Sequence, residues 1–358
     1  MKNLLFKHWY EKTNVLLTII LLPLSYIFNI LVILRRYLYK LKILKTHKLP
    51  VPVVIIGNIT VGGVGKTPIT KHIAEALMQH DIPVGIILRG YKAKNTDAKC
   101  VNKSDSAINV GDEALIYAEH NIPVAIGKNR YQAGLCLLKK YPNIQIILSD
   151  DGMQHYALYR NYEIAIVNYD NIKNNLCLLP MGSLRENICR LNTVNHIIYV
   201  NKNYIQQNIV KCSTSTVYFK YLENYTYDKQ HKLYSVDEFK AYLQKTLLCN
   251  VNNIALKTVA IAGIGNPKKF FEFITQQLNI KLNNTVAFND HHEYKLNDLS
   301  SLIKNYDIIL TTEKDYAKIK TLNINLTQIW VVHIDVSITN EQSLINDILN
   351  LTSLHLAN

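Results

Sequence analysis

The pattern of apolar and polar positions divides the chain into distinct stretches. Between Lys12 and Arg35 lie 22 residues without a formal charge, TNVLLTIILLPLSYIFNILVIL, long enough for a helix that crosses a bilayer or lies along one. The next stretch, RRYLYKLKILKTHK, places Leu34, Leu38, Leu41 and Leu44 at helical spacing among lysines, which predicts a basic amphipathic segment on an anionic surface. From Val51 the rhythm changes. Short β-branched runs alternate with amphipathic ones: VPVVIIGN (51–58) before TPITKHIAEALMQH, then DIPVGIILRGY, NIPVAIG before KNRYQAGLCLLKKY, IQIILSDDG, EIAIVN and HIIYVN. Such alternation predicts an α/β class with a doubly wound, mostly parallel sheet. A second series starts at KTVAIAGIGNPKKFFEFITQQL (257–278) and runs through YDIILTTEKDYAKI and QIWVVHIDV. The expected organisation is an N-terminal membrane-associated segment (1–48), a larger α/β domain (49–202), a connecting segment (203–250) and a second, smaller α/β domain (251–358).

Charge sharpens the N-terminal reading. The chain carries a formal net charge of +13, and its first fifty residues hold nine lysines and arginines against Glu11 alone. These basic residues bracket the apolar run instead of spreading over a folded surface, so they point to lipid headgroups and away from nucleic acid. More positive charge follows the run than precedes it, which places the body on the cytoplasmic side of the membrane. Six dispersed cysteines without C-x-x-C spacing suggest neither a zinc site nor a disulfide framework.

After the strand VPVVIIGN comes ITVGGVGKT (59–67), followed at once by a helical pattern with Pro68 in its first turn. A strand, a glycine-rich loop, Lys-Thr and a helix form a phosphate-binding arrangement of the P-loop NTPase type. Backbone N–H groups from Thr60, Val61, Gly62, Gly63, Val64 and Gly65 would close around ATP phosphates. Lys66 would reach the β- and γ-phosphates, and the Thr67 hydroxyl would bind Mg²⁺. The loop departs from the usual pattern, since Thr60 stands where a glycine is customary. IQIILSDDG ends a strand in Asp150 and Asp151, either of which could hold Mg²⁺. Ligands of such sheets gather beyond the carboxyl ends of the strands, so Arg89, Tyr91, Asp150 and Asp151 should face the loop.

Together with LRGY (88–91), GDEA (111–114), DDGMQH (150–155), LLPMGSLRE (178–186), FNDHHEY (288–294) and TTEKD (311–315), this loop makes the chain resemble the tetraacyldisaccharide 4′-kinase family over essentially its whole length. The resemblance implies transfer of the ATP γ-phosphate to the 4′-hydroxyl of a tetraacyldisaccharide 1-phosphate, a membrane-embedded glycolipid of lipid A synthesis. It also implies two α/β domains around a cleft, joined by a β-ribbon, with the inner membrane as the membrane concerned and no required protein partner evident. Asp112 is the candidate base for the hydroxyl proton, and by resemblance it pairs with His291 or the adjacent His292. Glu186 is a further metal candidate on the same ground. Arg89, Arg130 and Arg185 are candidates for phosphate contacts, because a guanidinium fork matches phosphate oxygens. Gln154 and His155 would line the cleft, while Lys314 and Asp315 suit a structural or nucleotide-side role. The N-terminal anchor would serve mainly to raise affinity for lipid.

Two other functions stay open at this level. A membrane-associated P-loop ATPase switch would need no small-molecule acceptor, although Val61 stands where such switches carry a signature lysine. A nicotinamide-dependent oxidoreductase would rest on Gly263-x-Gly265, which lacks the third glycine of the dinucleotide fingerprint.

Overall fold

The computed structural model describes residues 2–10, 14–91, 93, 97–168, 176–200, 212–218, 226–227, 233–234, 237–242, 256–276, 278–290, 292–322, 324, 326–333 and 336–356. Much of the expected connecting segment and the candidate His291 lie outside the described residues.

The chain opens with α1 (Lys2–Tyr10) and α2 (Val15–Lys40). Asn14 starts α2 by accepting from the N–H groups of Leu16 (3.0 Å) and Leu17 (3.3 Å). The expected helical spacing through Leu44 is not continued, because α2 ends at Lys40 and Lys42 takes a left-handed backbone at φ 59°. Beyond it, His47 donates its N–H to the Ala157 carbonyl and accepts from the Tyr159 N–H, both at 2.8 Å. That pairing satisfies the backbone without a helix.

The body follows as β1 (Val53–Gly57), α3 (Lys66–Gln79), β2 (Val84–Leu88), β3 (Lys99–Cys100), α4 (Ala107–Val110), α5 (Asp112–Glu119), β4 (Val124–Ile126), α6 (Arg130–Lys140), β5 (Ile146–Asp150), β6 (Tyr162–Asn168), β7 (His196–Val200) and β8 (Ser213–Tyr218). After the short pair β9 (Thr226–Tyr227) and β10 (Leu233–Tyr234) come β11 (Thr258–Ala262), α7 (Pro267–Gln276), β12 (Asn284–Ala287), α8 (Leu296–Asn305), β13 (Ile308–Thr312), α9 (Glu313–Ile319), β14 (Ile329–Val332), β15 (Ser337–Ile338) and α10 (Glu341–Leu356). Among the described residues, nine strands form one sheet in the order β15-β8-β7-β6-β1-β5-β2-β4-β3, and four form another in the order β12-β11-β13-β14. The inner pairings of the large sheet are parallel, and its two edge strands are antiparallel. The strands of the small sheet are all parallel.

Every residue of β1, β2, β5 and β6 is buried, which is what near-continuous Ile/Val/Leu runs require when helices cover both faces. One face packs against Ile69, Ile73 and Leu77 of α3, the other against Ala133 and Leu137 of α6. The tail of the chain departs from the expected boundaries. β15 pairs with β8 in the large sheet, and Leu344, Ile345 and Ile348 of α10 join that sheet's core. The small sheet is therefore inserted into the larger lobe, because the last strand completes an edge that β8 leaves open.

Candidate active site

The register brings the two sequence motifs side by side. Ile56 at the end of β1 lies opposite Asp150 at the end of β5, so the loop after β1 and the turn after β5 leave the same end of the sheet. Gly57 makes this possible. A Cβ there would come within 2.7 Å of Met153 Cβ. The loop closes onto α3 through Gly65, which takes a left-handed conformation (φ 79°) that other residues adopt at a cost.

Asn58, fully buried, donates its amide to the Thr60 carbonyl (2.9 Å) and accepts from Lys66 Nζ (3.3 Å). Lys66 also sits 3.4 Å from Asp151 Oδ1, which takes Arg185 at 3.1 Å on the same oxygen. Burial pushes the Asp151 carboxyl up, but the charges of Lys66, Arg185 and Arg130 more than offset it and hold it below the usual range. Its own backbone is left-handed at φ 46°, a conformation that aims the carboxylate back toward the loop lysine. Asp150 is buried, accepting from the Tyr117 hydroxyl (2.7 Å) and the Asp151 N–H (2.8 Å), and burial raises its pKa.

The remaining loop residues divide by what their backbone already does. The Val61 N–H donates to the Ser183 carbonyl (2.8 Å) and its carbonyl accepts from the Tyr10 hydroxyl (2.8 Å), so Val61 is committed within the chain. Thr60 pairs with Leu184, and the Val64 side chain is buried in the core. Thr67 occupies the first turn of α3, and its carbonyl faces the Tyr117 hydroxyl at 3.4 Å.

Other candidates fall in different surroundings. Arg130 is buried, with its guanidinium given to the main-chain carbonyls of Asp150 (3.1 Å) and Asp151 (3.4 Å). Gln154 links Asn58, Glu186 and Arg185. Glu186 is buried with one oxygen on Gln154 (3.1 Å) and the other on Tyr156 (2.5 Å). His155 is pushed down to about 4 by burial and by the charges of Arg130, Arg160, Arg35 and Arg89, so it is neutral at pH 7. Arg89 and Tyr91 are exposed beyond β2.

Asp112 heads α5, buried, with its Oδ2 3.5 Å from Lys318 Nζ and 4.0 Å from Lys314 Nζ. Lys314 also reaches Asp290 at 3.3 Å, which brings the FNDHHEY stretch of the smaller lobe to the base candidate. His292 is occupied by Asp298 (3.0 Å) and stacks on Phe288. Sequence reasoning missed Glu113. Burial and the charge of Asp150 push its carboxyl up to about 7, while Lys314 and Lys66 pull it down. It thus lies within electrostatic reach of both the loop lysine and the Asp112 group. Its place directly after Asp112 in GDEA was the available signal.

The comparisons with known proteins agree with this geometry. The family described as Tetraacyldisaccharide-1-P 4′-kinase matches residues 17–353. The chain belongs to this family. The tetraacyldisaccharide 4′-kinase of Shewanella frigidimarina (strain NCIMB 400) is 35% identical over 342 residues, covering 95% of this chain and 93% of that protein. That of Blochmanniella floridana is 35% identical over 346 residues, with 95% of each chain covered. The crystal structure of LpxK from Aquifex aeolicus in complex with ATP superposes with a TM-score of 0.74 at 25% identity, covering 92% of this chain and 98% of that one. Membership in the tetraacyldisaccharide-1-P 4′-kinase family does not favour the ATPase-switch reading, and it accounts for the P-loop-type sheet.

Proposed function

We propose that the chain transfers the γ-phosphate of ATP to the 4′-hydroxyl of tetraacyldisaccharide 1-phosphate in lipid A synthesis. The observation that carries this reading is the Lys66–Asp151–Arg185 cluster at the mouth of the glycine loop, beside the buried Asp150. Phosphoryl transfer asks the protein for positioning and charge neutralisation. Before nucleotide binds, the Asp151 carboxylate holds Lys66 and Arg185, and both cations can pass to phosphate oxygens as these arrive. Gly62, Gly63 and Gly65 offer the loop amides, and Arg130 fixes the turn that carries Asp150 and Asp151.

Mg²⁺ fits the donor set. Asp150 and Glu113 are two carboxylates pushed upward by burial, and Asp150 raises Glu113 further, so a divalent cation would relieve both. Oxygen donors alone suit Mg²⁺. We assign it to Asp150, Glu113 and the Thr67 hydroxyl. Bound there, it would neutralise charge on the β- and γ-phosphate oxygens. Glu186 accepts from Gln154 and Tyr156 and has Arg190 3.5 Å away, so its charge is already matched and it holds Gln154 in place instead. Asp112 accepts the proton of the 4′-hydroxyl, with the ammonium groups of Lys318 and Lys314 lying 3.5 and 4.0 Å from its Oδ2. His292 is engaged with Asp298, which favours His291 as its imidazole partner.

The lipid arrives through α2. Leu16, Ile20, Ile27 and Leu31 are exposed, whereas Ser25 donates to the Leu178 carbonyl (2.8 Å), Phe28 packs on the core and Tyr39 lies 5.9 Å from Tyr156. A helix attached to the body at several points along its length suits a position in the headgroup plane of the inner membrane, with the body on the cytoplasmic face.

The test is transfer from γ-labelled ATP with Mg²⁺ to tetraacyldisaccharide 1-phosphate in detergent micelles. Labelled lipid from wild type, strongly reduced in Lys66→Ala and Asp112→Ala, supports the reading. Label released only as free phosphate, at equal rates with and without lipid, overturns it.

A further inference from the structure

The N-terminal helix α1 touches the glycine loop directly. Two consecutive peptide planes of that loop are pinned from outside. The plane between Thr60 and Val61 has its carbonyl held by Asn58 Nδ2 (2.9 Å) and its N–H held by the Ser183 carbonyl (2.8 Å). The next plane, between Val61 and Gly62, has its carbonyl held by the Tyr10 hydroxyl (2.8 Å). A trans peptide is rigid and planar, with its C=O and N–H pointing in opposite directions. Fixing the Val61 carbonyl therefore fixes the direction of the Gly62 N–H. This matters at Gly62 because it sits at φ 107° and, lacking Cβ, has no steric preference of its own to hold that amide.

Tyr10 is itself held in place. Its neighbour Trp9 is buried and donates its indole N–H to the Pro180 carbonyl (2.9 Å), in the same LLPMGSLRE segment that supplies Ser183 and Arg185. Burial raises the Tyr10 pKa, so its hydroxyl stays protonated and remains a donor. Arg185 closes the circuit, its N–H on the Ile59 carbonyl (2.6 Å) and its guanidinium on Asp151.

We infer that Tyr10 is a positioning residue of the ATP site, orienting the Val61–Gly62 peptide, and that α1 belongs to the nucleotide-binding apparatus instead of serving as a lipid tether alone. The inference rests on the reading of residues 59–67 as the phosphate loop. It adds a nucleotide-side role to a segment expected to act mainly on lipid affinity.

The experiment uses the full chain in detergent micelles with tetraacyldisaccharide 1-phosphate, comparing wild type, Tyr10→Phe, Trp9→Phe and Lys66→Ala. KM for ATP and KM for lipid are measured separately, and binding of a non-hydrolysable ATP analogue is followed without lipid. Losing one partly buried hydrogen bond predicts an ATP KM and an analogue Kd raised about two- to tenfold in Tyr10→Phe, with the lipid KM unchanged. Trp9→Phe, one step further from the loop, should move the same constants in the same direction by less, and it gives a second reading where Tyr10→Phe folds poorly. A raised lipid KM with unchanged ATP constants in both variants overturns the inference and returns α1 to a tether. Lys66→Ala separates the two levels. Retained analogue binding and transfer in that variant would sink the phosphate-loop reading itself. Loss in Lys66→Ala beside normal Tyr10→Phe and Trp9→Phe would sink only the role of Tyr10.

Discussion

Both sheets of this protein contain a strand, a glycine loop and a helix, yet the two loops are filled differently. In the large sheet, β1 neighbours β5, whose terminal carboxylates stand beside the loop and hold the Lys66 and Arg185 cations there. In the small sheet, β11 neighbours β13, and the first turn of the following helix α9 sends the chain's own Asp315 into the loop. That carboxylate is fully buried and accepts from the Gly263 N–H (2.9 Å) and the Thr312 hydroxyl (2.7 Å), with Lys318 3.6 Å away. A Cβ on Gly263 would already lie 3.0 Å from it. The place an incoming phosphate would need is taken by an internal anion, so the Gly263-x-Gly265 loop is a structural element and the oxidoreductase reading loses its only support. The same local architecture becomes a ligand site or a brace according to which charge its neighbouring strand delivers.

That contrast can be broken from either side. Lys66→Ala should reduce phosphate transfer roughly 10³-fold while leaving the melting temperature nearly unchanged, as the proposed phosphate-binding role of the lysine requires. Asp315→Ala should do the reverse. Removing a buried carboxylate that pairs with Lys318 costs about 3 kcal/mol of stability, read by denaturant melts, with the ATP affinity of the surviving folded protein preserved. An Asp315 variant that folds normally but loses ATP binding would mean that the second loop serves nucleotide after all.

Asp112→Asn links the two regions, since its carboxylate belongs to the larger lobe and its lysines to the smaller. Loss of a general base predicts a fall of roughly 10²-fold or more in kcat with KM for ATP little changed. The smallest effect concerns the polar contact between lobes. His120, at the end of α5, and Lys71, on α3, meet Glu313 of α9, which also binds His333. Burial lowers the His120 pKa, but the hydrogen bonds it donates to Glu313 and Glu75 outweigh it and hold it above the ordinary value. Burial pushes Glu313 up, and its two histidine partners more than reverse this. The His120 contribution is therefore complete below about pH 6.5 and fades as pH rises through its folded pKa. The Glu313 contribution is present above about pH 4.5 and fades on acidification. His120→Gln should cost about 0.5–1 kcal/mol near pH 6 and little at pH 9, measured by thermal melts across pH.

The sequence made some of this arrangement legible and concealed the rest for physical reasons. Contiguous signals survived translation into structure: the VVIIG of VPVVIIGN became a fully buried strand, GGVGKT the loop and first helical turn after it, and SDD the end of the neighbouring strand and the turn that leaves it. Contacts between distant segments left no local trace. Nothing in YEK or in LLPMGSLRE says that Tyr10 and Ser183 will grip opposite ends of the Val61 residue. Arginine chemistry suggested phosphate for Arg130, yet a guanidinium satisfies main-chain carbonyls equally well, and only burial tells the two apart. The leucine period through Leu44 was real, but the helix stops at Lys40 with Lys42 left-handed, and His47 then pairs with residues far along the chain.

The return of β15 to the edge of β8 has a consequence for the order in which the protein is made. When β8 emerges during synthesis, its outer edge has no partner, and Val217 must wait for Ile338, which follows the entire smaller lobe. The smaller lobe precedes β15 in the chain, so the larger sheet reaches its final form only after β15 and α10 have left the ribosome. A stop codon ahead of β15 would spare Lys66, Asp112, Asp150 and Asp151 and still release a chain whose sheet is unsealed at β8.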